Sequence, residues 1–261
     1  MSTTVHFLSG LPRSGSTLLG SLLSQNTRIH VTPTSPLLDL LCLTNENLNK
    51  LDNNYTYDRS VDNKLYRSIV NTYYEQFGKP IVIDKHRGWP RNVVPARECI
   101  TEHPKIICTY RPISEVITSY LVLIEKQQGD NFVDRDLLSI KQARNTENRA
   151  KRLWEAYVSD PYNSLVHGLT NHKNNIHLVS YDDMTSRPKE TLQKIYEFLQ
   201  EDDYNHDIHD ITNACAEDKD MAWGLAGLHD IRPKLNKISR PPESVLGPYL
   251  KSYYDQFNIT P

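Results

Sequence analysis

Four places along the chain collect residue types that handle an anion or a proton. Residues 10–17, GLPRSGST, set one arginine, Arg13, and three hydroxyls, Ser14, Ser16 and Thr17, around Gly10 and Gly15. Residues 85–90, KHRGWP, place Lys85, His86 and Arg87 side by side, Arg111 stands before Pro112 with Ser119 eight positions on, and Tyr181 precedes Asp182 and Asp183. A guanidinium presents a fork of donors that suits a flat or tetrahedral oxyanion, and a lysine is a compact charge for a single oxygen. An imidazole is largely neutral at pH 7 and able to accept a hydroxyl proton.

The surrounding pattern says how such residues are positioned. Val5, Phe7 and Leu8 read as a short buried strand, and Leu18, Leu19, Leu22 and Leu23 as one face of the helix after the loop, with Ser14 or Ser16 as its cap. Strand, glycine loop and helix N-terminus form an anion cradle, since loop amides and the positive helix end point at one spot. Gly10, Gly15 and Thr17 fit the P-loop spacing, but Ser16 stands where the phosphate-binding lysine belongs, which counts against a nucleotide triphosphatase.

Further apolar runs at residues 80–84, 105–109 and 176–180 predict three more buried strands, with a short one at 29–31. Helices are expected over 61–77, 92–103, from Pro112 onward, over 134–167 with a break near Asp160 and Pro161, from Pro188, over 208–219 and over 249–257. The polar stretch 45–60 and the Gly- and Pro-rich stretch 224–248 read as irregular. Four strands separated by helices imply an α/β, three-layer P-loop-like fold, a central parallel sheet flanked by helices, in one domain over residues 1–261. Arg13, Lys85, Arg111 and Tyr181 each fall just past a strand's carboxyl end, where open α/β sheets bind ligands.

Composition narrows the partners. The chain has 261 residues, is 38% hydrophobic and carries a net charge of −2, so its overall balance points to neither nucleic acid nor an acidic membrane surface. The N-terminus lacks a basic segment followed by an apolar core, and no apolar stretch is long enough to cross a bilayer; a cytoplasmic location is expected. Cys42, Cys99, Cys108 and Cys215 lie too far apart for zinc-ligand pairs and read as free buried thiols. His206 and His209 have a metal-like spacing without a third ligand in view, and Arg144, Arg149, Lys151 and Arg152 read as a solvated basic face.

The loop, Lys85, and the Arg111 to Ser119 spacing resemble the sulfotransferases that use 3′-phosphoadenosine 5′-phosphosulfate (PAPS), over residues 5–199. GLPRSGSTLL is most similar to the tyrosylprotein sulfotransferase loop. The resemblance implies a PAPS donor and no metal, and a small-molecule, sugar or peptide acceptor that receives the sulfuryl group by in-line displacement. It implies that Arg13, Ser14, Gly15, Ser16 and Thr17 hold the 5′-phosphosulfate, and that Arg111 and Ser119 hold the 3′-phosphate. Tyr181 would then lie near the adenine, Lys85 on the bridging oxygen, and a late segment, about 220–261, over the nucleotide, with Lys234, Lys237 and Arg240 as candidate contacts. Thr34 stands where the related subfamily places a glutamate base, so His86 becomes the candidate base and Asp39 the second choice. Two other readings stay open: a P-loop kinase using ATP and magnesium held by Asp84, and a non-catalytic PAPS-binding protein. An ordinary ion pair of Arg111 with Glu115 is the competing role for that arginine.

Overall fold

The computed structural model of the chain describes residues 3–54, 58–127, 131–214, 220, 224–235 and 240–260. Five strands form one sheet: β1 (Thr4–Gly10), β2 (Ile29–Thr34), β3 (Ile81–Lys85), β4 (Ile106–Tyr110) and β5 (Ile176–Ser180). All pair in parallel, in the order β2-β3-β1-β4-β5. From β1 the chain moves to one side for β2 and β3, then crosses to the other for β4 and β5. That reversal opens a crevice at the carboxyl ends of β1 and β4.

Side chains alternate between two cores, as the period of a strand requires. Val5 and Phe7 of β1, Val82 of β3 and Ile106 and Cys108 of β4 face one core. It is closed by α2 (Leu37–Asn54), α3 (Asp62–Glu75), α4 (Val93–Cys99) and α5 (Ile113–Lys126), with α6 (Phe132–Ser139), α7 (Thr146–Leu153) and α8 (Ser159–Asn171) beyond. Leu8, Ile83 and Ile107 face the other, against Leu19, Leu22 and Leu23 of α1 (Ser16–Leu23). Leu192, Ile195, Tyr196 and Leu199 complete it from α10 (Pro188–Leu199), which follows the short α9 (Tyr181–Ser186). The layers are helices, parallel sheet, helices, and α11 (Pro242–Asp255) packs on α5.

Several local expectations are corrected. Residues 45–54 continue α2 rather than forming a loop, because Leu37, Leu38, Leu41 and Leu48 make a buried stripe that outweighs the poor helix propensity of the asparagines. The helical region after residue 132 breaks at 140–145, not at Asp160: Lys141 takes a left-handed φ of 56° and Asn145 caps α7 by accepting from the Asn148 amide. Pro161 is tolerated in the first turn of α8, and a π-helical turn, Trp154–Val158, carries the chain from α7 into it. Residues 208–214 are not helical, and 215–219 lie outside the described residues. The terminal helix begins at Pro242, inside the stretch expected to be irregular, and kinks at Gly247 before Pro248. Of the cysteines, Cys108 is buried, Cys99 half-buried and Cys42 exposed, while Cys215 lies outside the described residues.

Candidate active site

The loop after β1 is shaped by its two glycines. Gly10 has φ 133°, and a Cβ there would come within 2.1 Å of the Thr109 carbonyl oxygen on β4. Gly15 has φ 90° and would drive a Cβ to 2.4 Å from Met184 Cε and 2.9 Å from the Tyr181 ring. The first intrahelical bond of α1 is Leu19 N–H to the Gly15 carbonyl, so the amides of Ser16, Thr17 and Leu18 keep no intrahelical acceptor and point out of the helix end. Ser14 turns its hydroxyl inward, donating to the Leu11 and Thr109 carbonyls at 2.5 and 3.1 Å. Its contribution to the cradle is therefore through the main chain.

Arg13 adopts φ 58°, a conformation an arginine takes only when its surroundings impose it. Its Nε donates to Ser119 Oγ at 3.2 Å and its Nη1 to the carbonyl of Leu228. Arg111 lies alongside, with Nη1 3.5 Å from the Arg13 carbonyl, Nε on Glu115 at 2.7 Å and Cζ 4.6 Å from the Tyr181 ring centroid. Arg111 is thus both paired with Glu115 and part of a cluster with Arg13, Ser119 and Tyr181. Burial pushes the Arg13 guanidinium down from its ordinary value, with Tyr120 opposing and Arg111 adding to the shift. Among the described residues, Glu115 is the carboxylate paired directly with these two arginines and Asp220, farther off, is paired with His229, which leaves an excess of positive charge where β1 and β4 end. That excess suits an anion.

On the other side of β1, Lys85 ends β3 with 7% of its surface exposed, and its amide donates to Thr32 Oγ1 at 2.8 Å. Lys85, His86 and Arg87 line a narrow cleft together with Gly10, Ser16 and Thr34. His86 Nδ1 accepts from the Gly88 amide at 3.0 Å, and Nε2 lies 3.4 Å from Asp39 Oδ1 on α2. Burial pushes the His86 ring below its ordinary value; Asp39 and Asp160 pull the other way and Arg87 adds to the burial effect. Adjacency in sequence has therefore not sent Lys85 and His86 to different sites.

Asp84 is turned into the core instead. Its Oδ1 accepts from the Trp89 indole at 2.8 Å and its Oδ2 from the Tyr74 hydroxyl at 3.2 Å. Both oxygens are spent on protein donors, which gives the magnesium role no support. Among the other candidates, Arg149 pairs with Asp134, Arg152 with Asp136 and Lys151 with Glu155, so much of the basic stretch is neutralised. His206 is buried against the Tyr196 hydroxyl at 3.1 Å while His209 is exposed. Arg240 pairs with Glu125 at 2.6 Å, Lys234 is exposed, and Lys237 lies outside the described residues. The late segment reaches the site through a backbone carbonyl, that of Leu228, where a cation was expected.

Some residues that shape the site left no usable signal in the sequence. Ser9 and Ser164 both donate to the Arg87 carbonyl, at 3.2 and 3.0 Å, and clamp the turn that carries His86. Ser164 comes from α8, far along the chain, and only the tertiary packing brings it there. Thr32 lies just past the strand expected at 29–31, which runs on to Thr34, and nothing in the sequence marks it as the partner of Lys85.

Three comparisons bear on this arrangement. The sequence matches the family model described as "Sulfotransferase family" over residues 6–205. Among solved structures, the sulfotransferase domain from the curacin biosynthetic pathway aligns over 100% of this chain and 93% of its own, at 16% identity and TM-score 0.50. Sulfotransferase STF9 from Mycobacterium avium aligns over 99% of this chain and 78% of its own, at 14% identity and TM-score 0.50. At these identities the likeness is one of fold. No curated protein matches the chain by sequence.

Proposed function

The chain belongs to the sulfotransferase family, and on that premise we propose that it moves a sulfuryl group from PAPS to a hydroxyl or amine acceptor. The observation that carries this reading is the placement of two cationic groups on either side of one cradle. Arg13, Arg111 and Tyr181 stand at the ends of β1, β4 and β5, with Ser119 of α5 bonded to Arg13, and Lys85 and His86 stand at the end of β3. A nucleotide with a phosphate at each end needs two such groups.

In this reading Arg111 and Ser119 hold the 3′-phosphate, joined by Arg13, whose bond to Ser119 directs it there rather than to the 5′-phosphosulfate as the loop's resemblance implied, and Tyr181 flanks the adenine. The amides at the start of α1, with Ser16 and Thr17, hold the 5′-phosphosulfate. Bound there, the donor supplies the sulfuryl group, with 3′,5′-phosphoadenosine as leaving group. Lys85 stabilises the charge that gathers on the leaving 5′-phosphate, from a strand end whose main chain is held by the hydrogen bond that the Lys85 N–H donates to Thr32 Oγ1. The acceptor's proton goes to the pair formed by His86, which lines the same cleft, and Asp39 beside it. The acceptor is a small molecule, sugar or peptide that approaches from the α2 side.

Isothermal calorimetry without added metal tests this. 3′,5′-Phosphoadenosine should bind with micromolar or tighter affinity and ATP with magnesium much more weakly. Tighter binding of ATP with magnesium would overturn the reading. Tight binding of 3′,5′-phosphoadenosine with no turnover of PAPS would leave a non-catalytic binder.

A further inference from the structure

The Gly88 amide donates to His86 Nδ1, so that nitrogen presents a lone pair and a neutral ring must carry its proton on Nε2. Nε2 is the nitrogen that faces Asp39, 3.4 Å from Oδ1. A ring in this state has no lone pair to spare for an acceptor hydroxyl. A proton delivered to Nδ1 would break the Gly88 bond, and one delivered to Nε2 would require an imidazolate. The groups around the ring are Asp39 from α2, Asp160 from α8 and Arg87 in its own turn, and burial outweighs the two carboxylates to favour the neutral form. Asp39 differs in each respect. Its side chain is 69% exposed and Oδ1 lies 3.4 Å from the ring, so the carboxylate keeps lone pairs open to solvent beside His86, which itself lines the cleft.

We propose that Asp39 is the group that takes the acceptor's proton, and that His86 is a positioning residue that holds Asp39 through Nε2–H. This rests on the sulfotransferase reading and deepens it. In the step, the acceptor oxygen bonds to sulfur and its proton passes to the Asp39 carboxylate. The bond from sulfur to the 5′-phosphate oxygen breaks, and its electron pair stays on that oxygen, beside Lys85 and the loop amides. Thr34 lacks an acid–base group at neutral pH, and Asp39, five residues on, supplies the missing carboxylate from the first turn of α2.

The test uses the whole chain. Nitrogen-15 imidazole NMR, with and without 3′,5′-phosphoadenosine, should find His86 as the Nε2–H tautomer at pH 7. PAPS turnover, to 2-naphthol as probe acceptor or to water in its absence, should fall about 10²- to 10⁴-fold in Asp39→Asn with KM little changed. His86→Gln, whose amide can still donate to Asp39, should lose only about tenfold, with His86→Ala worse. An Nδ1–H tautomer, or a His86→Gln loss as large as that of Asp39→Asn, would overturn the assignment. A chain that fails to bind 3′,5′-phosphoadenosine would instead refute the sulfotransferase reading, and this one with it.

Discussion

Replacing Asp84 by asparagine gives a measurement whose size follows from the structure. Burial pushes the Asp84 carboxyl from its ordinary 3.8 up to about 6, although Ser35, Trp89 and Tyr74 each hydrogen-bond to it and pull the other way. The folded value lies above the unfolded one, so the stability Asp84 contributes is fully present below about 3.8 and is lost as pH rises through about 6. The difference amounts to about 3 kcal/mol when the titration is complete. Asparagine keeps the shape and one acceptor but cannot ionise. Wild type should therefore lose about 2 to 3 kcal/mol relative to Asp84→Asn between pH 4 and pH 7.5. Urea unfolding of both proteins across that range reads it as a relative midpoint shift of about 1 M, for a slope of about 3 kcal/mol per M. Taking the difference cancels the histidines and the surface carboxylates, which are common to both. A stability difference that stays flat with pH would refute the reasoning, because an ionisable carboxyl in this pocket cannot be pH-silent.

Five further outcomes follow from particular contacts. Arg111→Ala removes the group shared by Glu115, Tyr181 and the Arg13 carbonyl, and should weaken 3′,5′-phosphoadenosine on the order of 10²-fold by calorimetry. Arg240→Ala, which breaks an exposed pair with Glu125, should change that affinity by less than about twofold. Gly15→Ala combines a left-handed φ with a clash on Met184 and Tyr181, and should cost on the order of 1–3 kcal/mol in denaturation together with nucleotide binding. The His86 ring should titrate below its ordinary 6.5; its contribution to stability is then complete above about 6.5 and is lost as pH falls through the folded value, which a proton NMR titration checks. A thiol reagent should label Cys42 in the native chain and spare Cys108, whose thiol burial pushes up, until the protein unfolds.

The strands and the charged residues just past their ends were legible because buried parallel strands are continuous apolar runs, and the loops at their carboxyl ends carry charge that the core cannot hold. The β1 loop declared itself through Gly10 and Gly15, whose backbone angles no other residue takes cheaply. Propensity misled at 45–54, where a leucine stripe spaced four and seven residues apart governs a helix that its asparagines argue against. Asp84 shows the limit of pattern reading most clearly. Its place at a strand end marks it as special, but the strand's alternation, with Phe7 opposite it, turns it to the core away from α1.

What the amino-acid order determined by itself is local: which segments are strand or helix, which end of each strand bears charge, and that Ser16 replaces a lysine. The directions of long side chains were decided only by the tertiary structure. Arg13 leaves its own loop for Ser119 on α5, the Leu228 carbonyl closes over it from the far end of the chain, and Asp39 on α2 meets His86 after β3. These meetings depend on strand order and on the packing of helices against both faces of the sheet. Spacing along the chain records neither, so the type of a charged or titratable group at a strand end can be read from sequence while its partner cannot.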